Sequence, residues 1–304
     1  MSENAIKVSR LTAWLAFIRP KTWGVAIAPV LASLTLAVFE SHHFDPVIAF
    51  FTLTIALFMQ IITNMENDLG YTERKAETGN RKGLPRATTN GWISITAARW
   101  AIRGCILLAL LNTLLLVYFG GWVFLAIGVA SIIAAYTYMG GPKPIAYTPF
   151  GEITVLIFFG LTAVVGTYYL QTQSISINSV ILGIALGSIA SAVLAINNWR
   201  DRDHDESIQR ITMAVFFQKP IFLFLLRSMI FSPFILVLIM IANTITLWPT
   251  LLVFVSLPIG LQISKDVVKY QHYELNGVLF KCVKLELIFS VLFSLGMLIA
   301  IGME

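Results

Sequence analysis

The sequence predicts an all-α membrane protein, a bundle of nine transmembrane helices around a central cavity that is capped by cytoplasmic loops. Of the 304 residues, 57% are hydrophobic and only 12% are charged, whereas soluble domains have about 25% charged residues. The apolar residues form long runs, and a run such as 107–119 does not show the alternation of a barrel strand. Helices satisfy their own backbone polar groups in lipid, so helices are expected. The whole chain, 1–304, is predicted to be a single domain.

Nine apolar segments have about the length that a helix needs to cross the hydrocarbon core of a bilayer. They are residues 22–39, 46–67, 98–119, 121–139, 151–170, 179–199, 221–243, 246–263 and 283–302. The stretch before the first segment lacks the order of residues typical of a cleavable signal peptide, so this segment is expected to remain in the protein. Cys105 and Cys282 are far apart, which argues against a disulfide framework.

The distribution of Lys and Arg predicts the orientation of the chain in the membrane. The connections near 40–45, 119–122, 170–178 and 243–249 contain no basic residue, and all 21 fall on the other side. By the positive-inside rule, we expect the N-terminus and the long connections to be cytoplasmic and the C-terminus to lie outside, in a bacterial inner (cell) membrane. The net charge of +5 therefore follows membrane topology and does not indicate nucleic-acid binding.

Two of the cytoplasmic connections begin with the same polar pattern. Asn64 and Asp68 close the second segment, and Asn197 and Asp201 close the sixth, each as Asn-x-x-x-Asp. Residues four apart share a helix face. The two segments cross in the same direction, so the two clusters are expected to face each other across a shared cavity.

The acids of these clusters indicate a divalent cation. Asp201 and Asp205 follow Asn197 at intervals of four, and opposed carboxylates repel one another unless a cation lies between them. Oxygen ligands without paired His or Cys suit Mg²⁺, which usually completes its coordination with water and substrate phosphates. The alternative is that the acids merely end helices in water. Two matched clusters, each placed where the helix dipole disfavours a carboxylate, weigh against that alternative.

Basic residues are interleaved with the acids. The first cluster is followed by Arg74, Lys75, Arg81, Lys82 and Arg86, and the second is bordered by Arg200, Arg202 and Arg210. Arg pairs bidentately with phosphate, so a metal ion and guanidinium groups together indicate a site that stabilises a departing diphosphate. On the same side, the connection 136–152 contains Lys143 and Tyr147. Its tyrosines either lie at the membrane interface or line the site.

These stretches resemble the UbiA superfamily of intramembrane prenyltransferases, and most closely its naphthoate-prenylating branch. The resemblance covers nearly the whole chain. It is carried by "FIRPKTW", "NMENDLG", "NRKGLPRA", "GGPKPIAYTPFGEITVLIFFG", "YYLQ" and "INNWRDRDHD".

The resemblance implies that two Asp-rich motifs hold Mg²⁺ and a prenyl diphosphate. It implies catalytic roles for Asn64, Asp68, Asn197 and Asp201, and metal binding by these four with Asp205. It also implies substrate binding by Asn67, Arg86, Lys143, Tyr147, Asn198, Arg200 and Arg210. The lipid bilayer and a small aromatic acceptor complete the expected partners, and the oligomeric state is left open.

The first motif departs from the pattern of the family. The family has a further Asp three or four residues after Asp68, where this chain has Tyr71 and Thr72. The number of Mg²⁺ ions therefore stays open at this point. Glu66, Glu73 and Glu77 are candidates to compensate.

The functional hypothesis is Mg²⁺-dependent transfer of a prenyl group to an aromatic acceptor, 1,4-dihydroxy-2-naphthoate, with loss of CO₂, as in menaquinone biosynthesis. One alternative keeps the fold and changes the reaction to another aromatic acceptor or to cyclisation of the prenyl chain. A transporter is the other alternative. Transporters tend to bind their substrates near the middle of the membrane, whereas these acids gather at one end of the spans.

Overall fold

The computed structural model describes residues 8–77 and 82–303; Arg81, one of the predicted basic residues, lies outside this part. In the described chain all regular structure is helical. The helices are α1 Arg10–Ile18, α2 Gly24–Ser41, α3 Pro46–Glu73, α4 Ile95–Gly120, α5 Val123–Thr137, α6 Gly151–Thr172, α7 Ile177–Arg200, α8 Arg202–Ser207, α9 Met213–Phe216, α10 Lys219–Asn243, α11 Ile245–Lys269 and α12 Leu275–Met303.

Eight of the described helices are long and apolar enough to cross a membrane: α2, α3, α4, α6, α7, α10, α11 and α12. The ninth apolar helix, α5, has only 15 residues and is about 22 Å long, shorter than the roughly 30 Å of a hydrocarbon core. The chain is therefore an integral membrane protein with the predicted all-α bundle. The nine segments correspond to eight long helices and one short one.

Helix α3 extends six residues beyond the predicted end of its segment at 67. It begins where the Asp45 carboxylate accepts the backbone N–H groups of Val47 and Ile48 at 2.8 and 3.1 Å. Its apolar residues lead directly into Asn64, Asp68 and the residues after them, which stay helical to Glu73. The whole first polar cluster is thus carried on a helix, which fixes the direction of each side chain.

The bundle has two different ends, and the end where α3 and α7 finish is called here the polar end. Helix α1 lies at this end, because the Ile18 carbonyl accepts the Asn64 amide at 3.0 Å. Helix α12 starts there too, since Arg200 donates to the Asn276 side chain at 2.7 Å. The C-terminus of α12 therefore lies at the opposite end from α1.

At the opposite end, side-chain hydrogen bonds join α2, α6 and α7. The Glu40 carboxylate accepts the Tyr168 hydroxyl, and it accepts the Asn178 amide at 2.8 Å. Gln171 exchanges two hydrogen bonds with the backbone of Asp45, at 2.8 and 2.9 Å. The "YYLQ" stretch therefore stabilises the bundle at the end remote from the polar clusters.

Helices α6 and α7 pack unusually closely through three glycines. A Cβ atom on Gly160 would lie 2.4 Å from the Gly183 carbonyl oxygen and 2.6 Å from the Gly187 Cα atom. Residues Leu156–Thr162 around this contact form a π-helical turn within α6. Such turns often occur at functional sites in helices, and this one lies beside the cavity described below.

Glu286 is an exception to the apolar character of the last span. It lies about three turns into α12 and is fully buried, with no hydrogen-bond partner on either carboxylate oxygen.

We expect Gly160→Ala to destabilise the protein, because the new methyl group meets backbone atoms that cannot move aside. Overpacking of this kind costs about 1–3 kcal/mol, and thermal unfolding of the purified protein in detergent measures it. Gly166→Ala on the same helix is the control, since its Cβ atom would lie 3.8 Å from the nearest atom, Phe124. Equal melting temperatures for the two variants would contradict the close packing.

Candidate active site

A cavity of about 250 Å³ lies between α2, α3, α4, α5, α6 and α7. Polar residues line it at the polar end, namely Arg19, Thr22, Gln60, Asn64, Asn67 and Asn197. The rest of its wall is mainly apolar and reaches Leu116, Phe124 and Leu170, close to the opposite end. Along α3 the lining residues run from Thr52 to Asn67, a distance of about 22 Å. The cavity therefore suits a long apolar molecule that has a polar head.

The two asparagines of the repeated pattern, Asn64 and Asn197, line this same cavity. The Asn64 amide nitrogen donates to the Ile18 carbonyl and to the Thr22 hydroxyl, both at 3.0 Å. The Asn197 amide oxygen accepts from Arg200 at 2.8 Å. Both side chains are therefore held in place at the polar end, with α3 and α7 on either side of a common hollow.

Asp68 does not share the direction of Asn64, although the two residues are four apart. Its carboxylate accepts the backbone N–H groups of Ala87 and Thr88, each at 2.9 Å, and the Thr88 hydroxyl at 2.6 Å. The side chain is completely buried beneath this loop and does not line the cavity. The structure therefore places Asp68 as the anchor of the loop that follows α3.

The anchored loop brings Arg86 back against α3. Its guanidinium group donates to Glu77 at 3.1 Å and to the Asn67 carbonyl at 2.8 Å. It also lies 3.6 Å from the centre of the Tyr71 ring, a cation–π contact. Of the three candidate acids, Glu77 is the one that contacts Arg86. Glu73 pairs with the exposed Arg99 at 2.7 Å, away from the cavity.

The second cluster is built around Arg200. This residue holds both carboxylate oxygens of Asp201, at 2.9 and 2.6 Å, and also contacts Asn276 on α12. Asp201 lines a second, polar pocket of about 280 Å³. The other residues of that pocket are Lys82, Arg200, Asp203, His204, Ser207 and His272.

Arg210 joins the two clusters. Its side chain is 1% exposed and donates to both oxygens of Asp205, at 3.0 and 3.1 Å, to the Tyr71 hydroxyl, and to the Ala146 carbonyl at 2.8 Å. Burial by itself lowers the pKa of the Arg210 guanidinium. The adjacent Tyr71 and Asp205 raise this pKa by more than burial lowers it, so the group stays cationic. A fixed positive charge therefore lies between α3, α8 and the connection between α5 and α6.

The connection between α5 and α6 completes the polar end. Asn198 donates to the buried Glu152 carboxylate at 2.9 Å, and Arg74 donates to the Met139 carbonyl at 3.3 Å. The Tyr147 ring lies 5.4 Å from the Arg74 guanidinium, and burial raises the pKa of its hydroxyl. Lys143, in contrast, is exposed on this connection and lines neither pocket.

The predicted metal ligands do not form one cluster. Asn64 and Asn197 line the main cavity and Asp201 lines the polar pocket, whereas Asp68 and Asp205 line neither. Within residues 8–77 and 82–303, no group of three or more His, Cys, Asp or Glu side chains is arranged to hold a metal ion. Asn197, in the last turn of α7, and Asp201, directly after it, each line a pocket and have oxygen atoms of the kind that Mg²⁺ prefers. Arg200 donates to both side chains in this structure.

Sequence reasoning missed several residues that build the site. Thr88 and Asn276 carry no motif, and their roles arise only because distant segments pack together. Tyr71 was visible only as a departure from a family pattern. A signal for Arg200 and Arg210 was present, since both border the second acidic cluster.

The fold and the site define a membrane-embedded helical bundle whose apolar cavity ends in a cluster of buried charges. The chain belongs to the UbiA prenyltransferase family, which matches residues 26–290, and it is a prenyltransferase. It is 30% identical to the 1,4-dihydroxy-2-naphthoate octaprenyltransferase of Haemophilus influenzae, over 95% of this chain and 97% of that protein. It is 36% identical to the enzyme of the same name from Escherichia coli, over 69% and 70% of the two chains.

Solved structures agree with the fold. A UbiA homologue from Archaeoglobus fulgidus superposes with a TM-score of 0.65 at 15% identity, covering 95% of this chain and 99% of that one. The same homologue bound to DMAPP and Mg²⁺ gives a TM-score of 0.62 at 16% identity, over 96% and 99%. At 15–16% sequence identity, the structural similarity establishes the arrangement of the helices.

We expect Asp68→Ala to loosen the loop that contains Ala87 and Thr88. Three buried donors lose their acceptor, which costs at least about 2 kcal/mol and lowers the melting temperature by roughly 4 °C or more. Asp203→Ala is the matched control, because this acid is exposed at the same end of the bundle. Unchanged melting and unchanged proteolysis of the loop in Asp68→Ala would contradict the anchoring role.

Proposed function

We propose that this protein transfers a polyprenyl group from its diphosphate to 1,4-dihydroxy-2-naphthoate, with Mg²⁺ and with loss of CO₂, as a step of menaquinone biosynthesis. The observation that carries the proposal is the cavity, which extends about 22 Å along α3, has mainly apolar walls and ends at Asn64 and Asn197 beside the buried Arg200. A prenyl diphosphate has the same division into an apolar tail and an anionic head. The polar end faces the cytoplasm in this proposal, as the basic residues predict.

The acceptor is proposed from the relatives. The naphthoate octaprenyltransferases match this chain at 30–36% identity, one of them over nearly its full length. A homologue of the same fold binds DMAPP and Mg²⁺. These proteins support a prenyl diphosphate and a naphthoate as the two classes of substrate. The roles in binding and reaction are assigned to residues of this chain.

The arginines of the polar end bind and orient the diphosphate head. Arg200 and Arg210 are at most 7% exposed, and a guanidinium group in so dry a setting attracts phosphate strongly. Mg²⁺, held by Asn197 and Asp201, would neutralise charge on the diphosphate as it departs. Asn67 and Asn198, beside Arg86 and Arg210, hold these arginines in position.

The reaction balances without any oxidant. The bond between the allylic carbon and the diphosphate oxygen breaks, and its electron pair leaves with the diphosphate. A ring carbon of the naphthoate then donates a pair to the allylic carbon. When the carboxylate leaves the attacked carbon as CO₂, the pair from that bond restores the aromatic ring. The apolar walls around Phe158 and Phe159 exclude the water that would otherwise trap the allylic cation.

Incubation with candidate acceptors separates this proposal from its alternatives. The purified protein is given Mg²⁺, a prenyl diphosphate and either 1,4-dihydroxy-2-naphthoate, 4-hydroxybenzoate or no acceptor, and the products are identified by mass spectrometry. Prenylated, decarboxylated naphthoate supports the proposal. Product from 4-hydroxybenzoate alone would instead indicate another aromatic acceptor, and a cyclised hydrocarbon formed without acceptor would indicate a cyclase. If no diphosphate is released, the transporter alternative replaces the proposal.

We expect Asp201→Asn to reduce prenyl transfer by a factor of about 100 or more, because the variant loses the charge beside Arg200 and an oxygen ligand for the cation. The assay measures product formed at saturating Mg²⁺. Glu206→Gln is the control, because it makes the same change of carboxylate to amide at an exposed acid of α8 that lines neither pocket. It is expected to retain most of the activity, and equal losses in both variants would rule out the assignment of Asp201.

We expect Ser131→Trp to discriminate between prenyl chains by length. Ser131 lines the cavity about two turns below the polar end of α5, so an indole ring there blocks a long chain but leaves room for a five-carbon one. The ratio of kcat/KM for a C15 or longer diphosphate to that for dimethylallyl diphosphate should fall about tenfold. Ile133→Trp on the lipid-facing side of α5, where Ile133 is 56% exposed, should leave the ratio unchanged.

A further inference from the structure

Among residues 8–77 and 82–303, Arg19 is the one charged residue that lines the main cavity. The other lining residues are apolar or have neutral hydroxyl and amide groups. Arg19 is half-buried, and a charge on a mainly apolar wall attracts an anion strongly because little water screens it. Since Arg200 and Arg210 are assigned to the diphosphate, Arg19 suits a second anionic group of the substrates.

Arg19 lies at the turn where α1 ends and the chain leads into α2. Its backbone N–H donates to the Leu15 carbonyl at 3.0 Å and so closes α1. The residue itself is left-handed, with φ 50° and ψ 64°, a conformation that glycine adopts more readily than other residues. An arginine at a position where the backbone alone favours glycine indicates that the side chain has a function.

Two residues of α3 hold this turn at the wall of the cavity. The Thr22 hydroxyl donates to the Arg19 carbonyl at 2.9 Å. The same hydroxyl accepts from the amide nitrogens of Gln60 and Asn64, at 3.1 and 3.0 Å. Asn64 also donates to the Ile18 carbonyl at 3.0 Å. The backbone that carries the Arg19 side chain is therefore fixed against α3.

The same contacts leave a hydrogen-bond acceptor beside Arg19. Gln60 donates with its amide nitrogen to Thr22 and Asn64, and its amide oxygen accepts no hydrogen bond within the described part of the chain. Gln60 lines the cavity, as do the apolar side chains of Val25 and Met59. A flat aromatic ring that has a carboxylate and a hydroxyl group fits this combination of charge, acceptor and apolar surface.

We infer that Arg19 binds the carboxylate of the aromatic acceptor, and that the Gln60 amide oxygen accepts a hydrogen bond from a hydroxyl group of the same ring. The inference rests on the proposed function and specifies how its acceptor is recognised. The acceptor then lies against α1 and α3. The diphosphate lies on the other side of the hollow, where Arg200 contacts Asn197 on α7.

This role of Arg19 distinguishes the substrate from the product. The proposed reaction releases the carboxylate as CO₂, so the prenylated product has no anionic group for Arg19 to bind. A guanidinium paired with the carboxylate stabilises the bound acceptor before the reaction begins. Loss of Arg19 is therefore expected to raise KM for the acceptor more than it lowers kcat.

Two matched naphthalenes test the inference without turnover. 1-Hydroxy-2-naphthoate has the carboxylate and one hydroxyl group of the acceptor, and 1-naphthol lacks the carboxylate. Their binding to the full chain in nanodiscs is measured by ring fluorescence, with empty nanodiscs as the correction for lipid. Arg19→Gln should bind the naphthoate about tenfold more weakly than the wild type, the scale of one charge-assisted hydrogen bond. Its affinity for 1-naphthol should be unchanged, and equal losses for both ligands would overturn the inference.

Three further variants separate recognition from packing. Lys21→Gln is the matched control, because it removes an exposed charge two residues away that lines neither pocket, and it should bind both ligands as the wild type does. Gln60→Leu should weaken both ligands, since both have the hydroxyl group. Arg19→Gly suits the left-handed backbone, so it provides the answer if Arg19→Gln does not fold. If Arg19→Gly binds the naphthoate as tightly as the wild type, Arg19 only ends α1 and the inference is wrong.

The proposed function and the role of Arg19 fail in different ways. If the wild type forms no product from 1,4-dihydroxy-2-naphthoate and does not bind 1-hydroxy-2-naphthoate, the proposed function itself is wrong. If it forms that product but Arg19→Gln binds the naphthoate as tightly as Lys21→Gln, the proposed function stands and the Arg19 assignment is wrong. Weaker binding of farnesyl diphosphate to Arg19→Gln, with naphthoate binding unchanged, would assign Arg19 to the diphosphate and would also overturn the inference.

Discussion

The burial of arginine at the edge of the membrane is the constraint on which the polar end depends. Arg86, Arg200 and Arg210 are 4%, 7% and 1% exposed, and removing such charges from water is costly unless each is paired and hydrogen-bonded. Each of them has a carboxylate partner, in Glu77, Asp201 and Asp205 respectively. These carboxylates are near their arginines in sequence, but other hydrogen bonds of Arg200 and Arg210 reach distant segments, at Asn276, Ala146 and Tyr71. Satisfying the arginines therefore also assembles the site.

Arg210 shows how one residue links packing to function. It contacts α3 through Tyr71, α8 through Asp205 and the connection between α5 and α6 through Ala146. These contacts join three segments at the polar end and hold the guanidinium group against the Asp205 carboxylate. The same interaction therefore stabilises the fold and places a guanidinium group near the proposed site for the diphosphate.

The sequence predicted most of the fold, because a membrane span is a local property of composition. Each predicted segment overlaps an observed helix, and the shared hollow between Asn64 and Asn197 follows from helical spacing. The site was predicted less completely. Asp68 turned out to anchor Ala87 and Thr88, because helix geometry fixes the direction of a side chain but not which segment folds over it.

The sequence by itself determined the bundle, the gathering of charge at one end and the family, since apolar length, Lys and Arg asymmetry and short motifs are all read along the chain. Only the tertiary structure decided which acids are available to a ligand. That choice depends on Thr88 over Asp68, on the arginines around Tyr71 and on Asn276 at the start of α12. The physical reason is that the full set of hydrogen bonds around a buried charge depends on what packs against it. Here those neighbours lie from 19 residues away, for Ala87 on Asp68, to 139 residues away, for Tyr71 on Arg210.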